Sequence, residues 1–281
     1  MTELFEVVAK SAVYGCALVA VGAVTANRLL LPRAAGRLNR DIQEATALAA
    51  SNRLRMAAFG LLVALLMRAW AHTATAFGLM DSFSPANLRI VTSESRWAGG
   101  WQLQVGAAAV LCAASLNLRS SPFVQWLRVP AVLLMCLSLP QIGHPVGHPW
   151  RVLLHTLHVA GGGVWLGTLV VAVLSPRAAR VPLLRAFAPV AMLGVSLAGL
   201  AGLAMSAVYL GAPASLLASG YGRVLLLKGA AVGATLLMGA LNWRTLHRRG
   251  GGASGPWPIV EASMTLVIVA LTAWLSETAH P

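Results

Sequence analysis

With 281 residues, 58% of them hydrophobic and only 10% charged, the chain has too few polar groups for a water-soluble domain, where about 25% are charged. The net charge of +13 would suit a nucleic-acid binder, but the basic residues gather in alternate connections between apolar runs, which marks topology and argues against nucleic acid. Cys16, Cys112 and Cys136 all fall inside apolar runs and form no CxxC pattern, which excludes a disulfide framework.

Eight apolar runs follow in chain order, at 7–31, 54–78, 97–118, 123–142, 151–174, 184–210, 222–243 and 258–278. Each is close to the roughly 20 residues a helix needs to cross a bilayer. The predicted fold is therefore all-α: a polytopic integral membrane protein with eight transmembrane helices in one bundle. The start, MTELFEVVAK, is acidic where a signal peptide is basic, so the first run is expected to be retained as a span.

The connections after the first, third, fifth and seventh runs, with their edges, hold thirteen arginines: Arg33, Arg37, Arg40, Arg53, Arg55, Arg119, Arg128, Arg177, Arg180, Arg185, Arg244, Arg248 and Arg249. The remaining connections and their edges hold four, Arg89, Arg96, Arg151 and Arg223. The positive-inside rule then puts both termini on the periplasmic side. The 32–53 connection is expected to be a partly helical cytoplasmic loop and 79–96 a polar external one. Pro189 falls inside the sixth run, where a kink is expected, and Pro256 and Pro258 mark the start of the last helix. The chain is expected to divide into two four-helix halves, 1–142 and 143–281.

In this topology six of the seven histidines lie on the outer side. The stretch GHPVGHPWRVLLHTLHVAGGGVWLG, residues 143–167, holds four of them. His155 and His158, at i and i+3, share one helix face, and that face continues through Gly162 to Trp165. Two imidazoles so placed suit copper, zinc, iron or nickel; alternatively, one bonds across helices and the other sits in the interface. His144 and His148 each precede a proline, which holds them extended. They form either a rigid capture loop for a metal ion or a plain proline-rich turn.

His72 lies one turn after Arg68 in LLMRAWAHTATAF. A buried arginine is costly unless paired or hydrated, so this face is expected to point into a polar cavity. His72 either completes a metal site with His155 and His158 or is a simple hydrogen-bond partner. Arg68 is a permanent cation that cannot ligate metal, so its role is to shape the cavity field. Lys228 and Glu261 are charges inside spans, as pathway groups or as structural partners. The methionines are scattered and form no thioether stripe.

These residues resemble the CopD copper-resistance family of bacterial inner-membrane proteins. HTLHVAGGGVWLGTLVV (155–171) is similar to its His-bearing span with a Trp-Leu-Gly motif, and LLRAFAPVAML (183–193) to the Arg-Phe lead-in of the next. YGRVLLLKGAAVGATLLMGALNWR (221–244) resembles the Tyr-Gly-Arg, Leu-Lys and Asn-Arg span, with Trp243 inserted before Arg244. VEASMTLVIVALTAWL (260–275) resembles the final Glu-bearing span. The resemblance covers 143–281 and is weaker before it. It implies copper handling, movement of copper from periplasm to cytoplasm, and partnership with a separate small periplasmic copper carrier of the CopC type.

Together these observations predict a multi-pass protein of the bacterial inner membrane that is not an enzyme. It would bind a copper ion at His72, His144, His148, His155 and His158. Arg68, Trp165, Lys228 and Glu261 would line the path or cavity. Two alternatives remain: a haem-binding electron-transfer protein using, for example, His72 and His158 as axial ligands, or a copper-delivery factor that does not transport.

Overall fold

A computed structural model of the protein describes residues 2–116, 122–142, 147–248 and 257–278. Helix α1, Thr2–Thr25, runs through a π-helical turn at Ala26–Leu30 into the short α2, Leu31–Ala34. Helix α3 is Arg40–Phe77, and α4, Pro85–Arg89, lies in the following connection. Then come α5, Ala98–Leu116, and α6, Pro122–Ser138. Helix α7, Pro149–Gly162, continues through a π-helical turn at Gly163–Gly167 into α8, Thr168–Val173. Next are α9, Arg177–Ala186, α10, Ala188–Leu210, and α11, Ser215–Ala218. The last two are α12, Gly220–Arg248, and α13, Trp257–Glu277. No strand occurs among the described residues, as expected where lipid forces backbone polar groups to pair within their own segment.

Among the described residues each expected apolar run is largely helical, and six stretches are long and apolar enough to cross a membrane: Thr2–Arg37, Arg40–Phe77, Pro149–Val173, Ala188–Leu210, Gly220–Leu246 and Trp257–Glu277. Helix α5 is not among the six, and the apolar helix Trp126–Gln141 is shorter than they are. The beginning of α5 carries Gln102 and Gln104, which lower its apolarity.

Two local expectations are refined. The helicity expected in part of 32–53 extends through residues 40–53, the first turns of α3, which is 38 residues long and so about 57 Å at 1.5 Å per residue. A bilayer core is about 30 Å thick, so one end of α3 stands outside it. Asn39 starts this helix: its side-chain oxygen accepts the Ile42 N–H at 2.9 Å. Asn39→Ala is expected to cost about 1 kcal/mol, read as a lower Tm in detergent that Asn39→Asp does not show. The sixth run is interrupted at Phe187, between α9 and α10, and Pro189 sits in the first turn of α10 just after that break rather than inside a continuous helix. A proline N lacks a hydrogen that the first turn leaves unbonded anyway.

Helix association in lipid relies on close packing rather than on water exclusion, which favours small residues. Helix α1 is the hub, packed against α3, α6, α8, α13 and the Gly163–Gly167 turn. It buries Ala9, Ala17, Ala20 and Ala23, and α3 buries Ala50, Ala57, Ala58 and Ala64. Gly22 and Gly167 meet so closely that a Cβ on Gly22 would strike the Gly167 carbonyl carbon, and one on Gly167 the Leu18 carbonyl. Helix α7 meets α10 in the same way, where a Cβ on Gly161 would lie 2.5 Å from the Ala198 nitrogen.

Two large apolar cores result among the described residues, with a small third one of Tyr221, Val224 and Leu275. One gathers α1, α3, α5 and α6 around Leu54, Leu61, Leu111 and Met135, with Cys136 among its packing residues. The other gathers α8, α9, α10, α12 and α13 around Leu169, Leu183, Phe187 and Ile268. Val171 belongs to the first core and Leu30 to the second, so the two interlock.

Candidate functional site

The start of α1 and the end of α13 lie together, because Lys10 and Glu277 form an ion pair. At this end of the bundle the polar side chains form two groups.

The first group is built on α1, α3 and α5. His72 bonds through Nδ1 to Glu6 Oε1 at 2.7 Å, and its ring stacks on Trp97 with centroids 4.6 Å apart. One turn away, buried Arg68 donates from Nη1 to Gln104 Oε1 at 3.0 Å and stands 5.7 Å over the Trp97 ring. Gln104, fully buried, donates from Nε2 to the carbonyls of Ser138 and Leu139 at 3.2 and 3.1 Å. Glu6, Glu277 and Tyr14 are all within electrostatic reach of Arg68. The face carrying Arg68 and His72 therefore does turn into a polar interior. The acidic partner there is Glu6.

The second group is built on α7, α10 and α12. His148 is exposed at the N-cap of α7. His155, half-buried, pairs through Nε2 with the Tyr209 hydroxyl at 3.1 Å. His158 pairs through Nδ1 with the Ala198 carbonyl oxygen at 2.7 Å. A carbonyl can only accept, so Nδ1 carries the hydrogen and Nε2 of the neutral ring keeps its lone pair. Gly202 leaves room for this ring, since a Cβ there would lie 3.0 Å from it. Lys228 and His155 are both close enough to His158 to interact with it electrostatically. Arg151 lies 5.9 Å over the Tyr209 ring.

Among the described residues, no three His, Cys, Asp or Glu side chains come together as a metal-binding group. His72 thus does not join His155 and His158 in one site; it is held by Glu6 on the α1 side. His144 lies outside the described residues, as does His280. Trp165 is buried in the second core, its backbone nitrogen 2.6 Å from where a Gly194 Cβ would stand, so it packs rather than lines a cavity. Glu261 is buried. It is hydrogen-bonded to Asn242, with Oε1 2.8 Å from where a Cβ of Gly239 would be.

Sequence reasoning missed Glu6, Gln104, Trp97 and Tyr209. Glu6 and Lys10 stand four apart at the start of α1, and two opposite charges at that spacing, beside an apolar run, were a usable signal. Nothing comparable marks Tyr209.

The fold defines a polytopic all-α membrane protein, with polar side chains converging at the end where its first and last helices meet. Residues 181–275 match the family model described as copper resistance protein D, CopD. That segment, residues 181–275 of the 281, is similar to the CopD family of copper-resistance membrane proteins. The match includes Tyr209, Lys228 and Glu261, whereas His72, His148, His155 and His158 precede it. No curated protein and no solved structure matches the chain.

Proposed function

We propose that this protein is a copper carrier of the bacterial inner membrane, taking copper from the periplasmic side and passing it toward the cytoplasm. In this proposal α5 and α6 also cross, giving eight spans in two halves, 1–142 and 143–281, with both termini periplasmic. The thirteen-to-four split of basic residues between alternate connections supports that orientation. Copper is the cargo, and the protein is not an enzyme.

The observation that carries the proposal is the His158–Ala198 bond of 2.7 Å. Metal-ligating histidines characteristically anchor one nitrogen on a carbonyl or carboxylate and present the other. His158 does so one turn from His155, and exposed His148 lies seven residues before His155, about 10 Å up the helix. His72 has the same arrangement with a carboxylate, Glu6, and would form a separate station. His148, with His144, would receive the ion from a separate periplasmic carrier of the CopC type. The Lys228 ammonium repels a cation at His158. It keeps the hold weak, and passage requires an ion that can leave again.

Copper accumulation in cells expressing the wild type should exceed that in cells expressing His155→Ala/His158→Ala by at least about tenfold, the scale of losing ligands or their supporting shell. Equal accumulation at equal protein level would remove these two residues from the path. Uptake into sealed vesicles separates transport from binding and delivery alone, and a Soret band in the purified protein would instead point to haem.

A further inference from the structure

At the opposite, arginine-rich end, a cavity of about 290 Å³ opens between the end of α1, the first half of α3 and α6. Val24, Leu31 and Leu48 give it an apolar wall, while Arg28, Ser51 and Arg128 give it a polar one. Arg128 donates from Nη1 to Ser51 Oγ at 3.3 Å and from Nε to the Ala114 carbonyl at 3.2 Å. Asn27 also donates to Ser51 Oγ, at 3.3 Å. Arg28 lies over the Trp126 ring, 4.3 Å from its centroid.

Arg28 and Arg55 both stand close enough to Arg128 to repel it. Three guanidiniums converge here, and the one carboxylate on the cavity lining, Glu44, is exposed and bonded to Arg40 at 3.1 Å. Nη2 of Arg28 and both Nε and Nη2 of Arg55 are buried with no hydrogen-bond partner among the described residues. Like charges held together away from water are costly, and so are buried donors without acceptors. One anion rich in acceptor oxygens relieves both costs.

We propose that the pocket lined by Arg28 and Arg128, with Arg55 close to Arg128, binds a phosphate group. The planar guanidinium fork matches phosphate oxygens in pairs. The cavity floor is polar and its wall apolar, as a phosphodiester continuing into hydrocarbon requires, and basic pockets between membrane helices are known hosts for such headgroups. The phosphate comes from an anionic lipid headgroup or from a free phosphate, which the experiment below separates. The site is at the other end of the bundle from the histidines and does not depend on copper.

The test uses the full chain in nanodiscs of phosphatidylcholine, either mixed with phosphatidylglycerol or supplied with inorganic phosphate. Retained phosphatidylglycerol is read by native mass spectrometry, and phosphate binding by the rise in Tm. Arg28→Gln and Arg55→Gln are each expected to lower retention about fivefold, while Arg37→Gln, exposed at the same end, leaves it unchanged. If phosphatidylglycerol is not retained but phosphate raises the Tm of the wild type and not of the variants, the source is a free phosphate and the site stands. If neither probe separates the wild type from Arg28→Gln and Arg55→Gln, the proposal is overturned. Should Arg28→Gln fail to fold, Arg28→Lys, which keeps the charge and loses the planar fork, decides the outcome alone.

Discussion

Gly167→Ala should destabilise the protein by about 3 kcal/mol, the upper range for forcing extra volume into a packed interior. The added methyl would fall on the Leu18 carbonyl of α1. Backbone cannot step aside as a flexible side chain can, so α1 and the α7–α8 unit would have to separate. They are held mainly by contact, since lipid supplies no hydrophobic force between helices. Helix α1 also packs on α3, α6 and α13, so the shift would spread to both cores. Gly199→Ala is the control: it lies within α10 with nothing within 4 Å of its added Cβ, and alanine favours helix there by about 1 kcal/mol. Thermal unfolding in detergent should show a large loss for the first variant and none for the second. Equal Tm values would mean that the glycine contact does not hold the bundle together.

Gln104→Leu should cost about as much, 3 kcal/mol or more, for an electrostatic reason. The substitution strips Arg68 of its 3.0 Å acceptor and leaves the Ser138 and Leu139 carbonyls without their donor. Removing one partner of a buried charge costs about 3–5 kcal/mol because the other stays buried and uncompensated. Removing both is far cheaper. The double variant Arg68→Met/Gln104→Leu is therefore expected to recover at least half of the lost stability, a non-additivity that a double-mutant cycle in detergent measures. Additive losses would show that Arg68 draws its compensation elsewhere, from Glu6 or Glu277.

The two expected effects differ in how far the sequence foretold them. The run of glycines beside the histidine pair stands out in the sequence, and Gly161 is where α7 comes closest to Ala198 of α10. Arg68 and His72, one turn apart, implied a polar interior facing that side of α3. Their partners were out of reach, because Glu6 lies 66 residues from His72 and Gln104 lies 36 from Arg68. Periodicity says which way a helix face points but not which helix it meets. The same limit explains Trp165. On the helix face it continues the line of His155 and His158, yet the approach of α10 at Gly194 makes it a packing residue. The arginine pocket has a similar history: Arg55 and Arg128 were counted singly as topology signals and Arg28 was not singled out, and only the folding of α1, α3 and α6 brings Arg28 and Arg55 close to Arg128.

By itself the sequence determined the apolar helices and the gathering of arginines between them, because each rests on local chemistry: apolar length for a span and proline for helix starts. Which polar groups meet was decided only by the tertiary structure. Glu6 is placed on His72, Ala198 on His158 and Arg28 beside Arg128 by the packing of small residues along α1 and α10, which fixes how near and at what height the helices pass. Pairing across a bundle depends on those distances, and no stretch of a single helix encodes them.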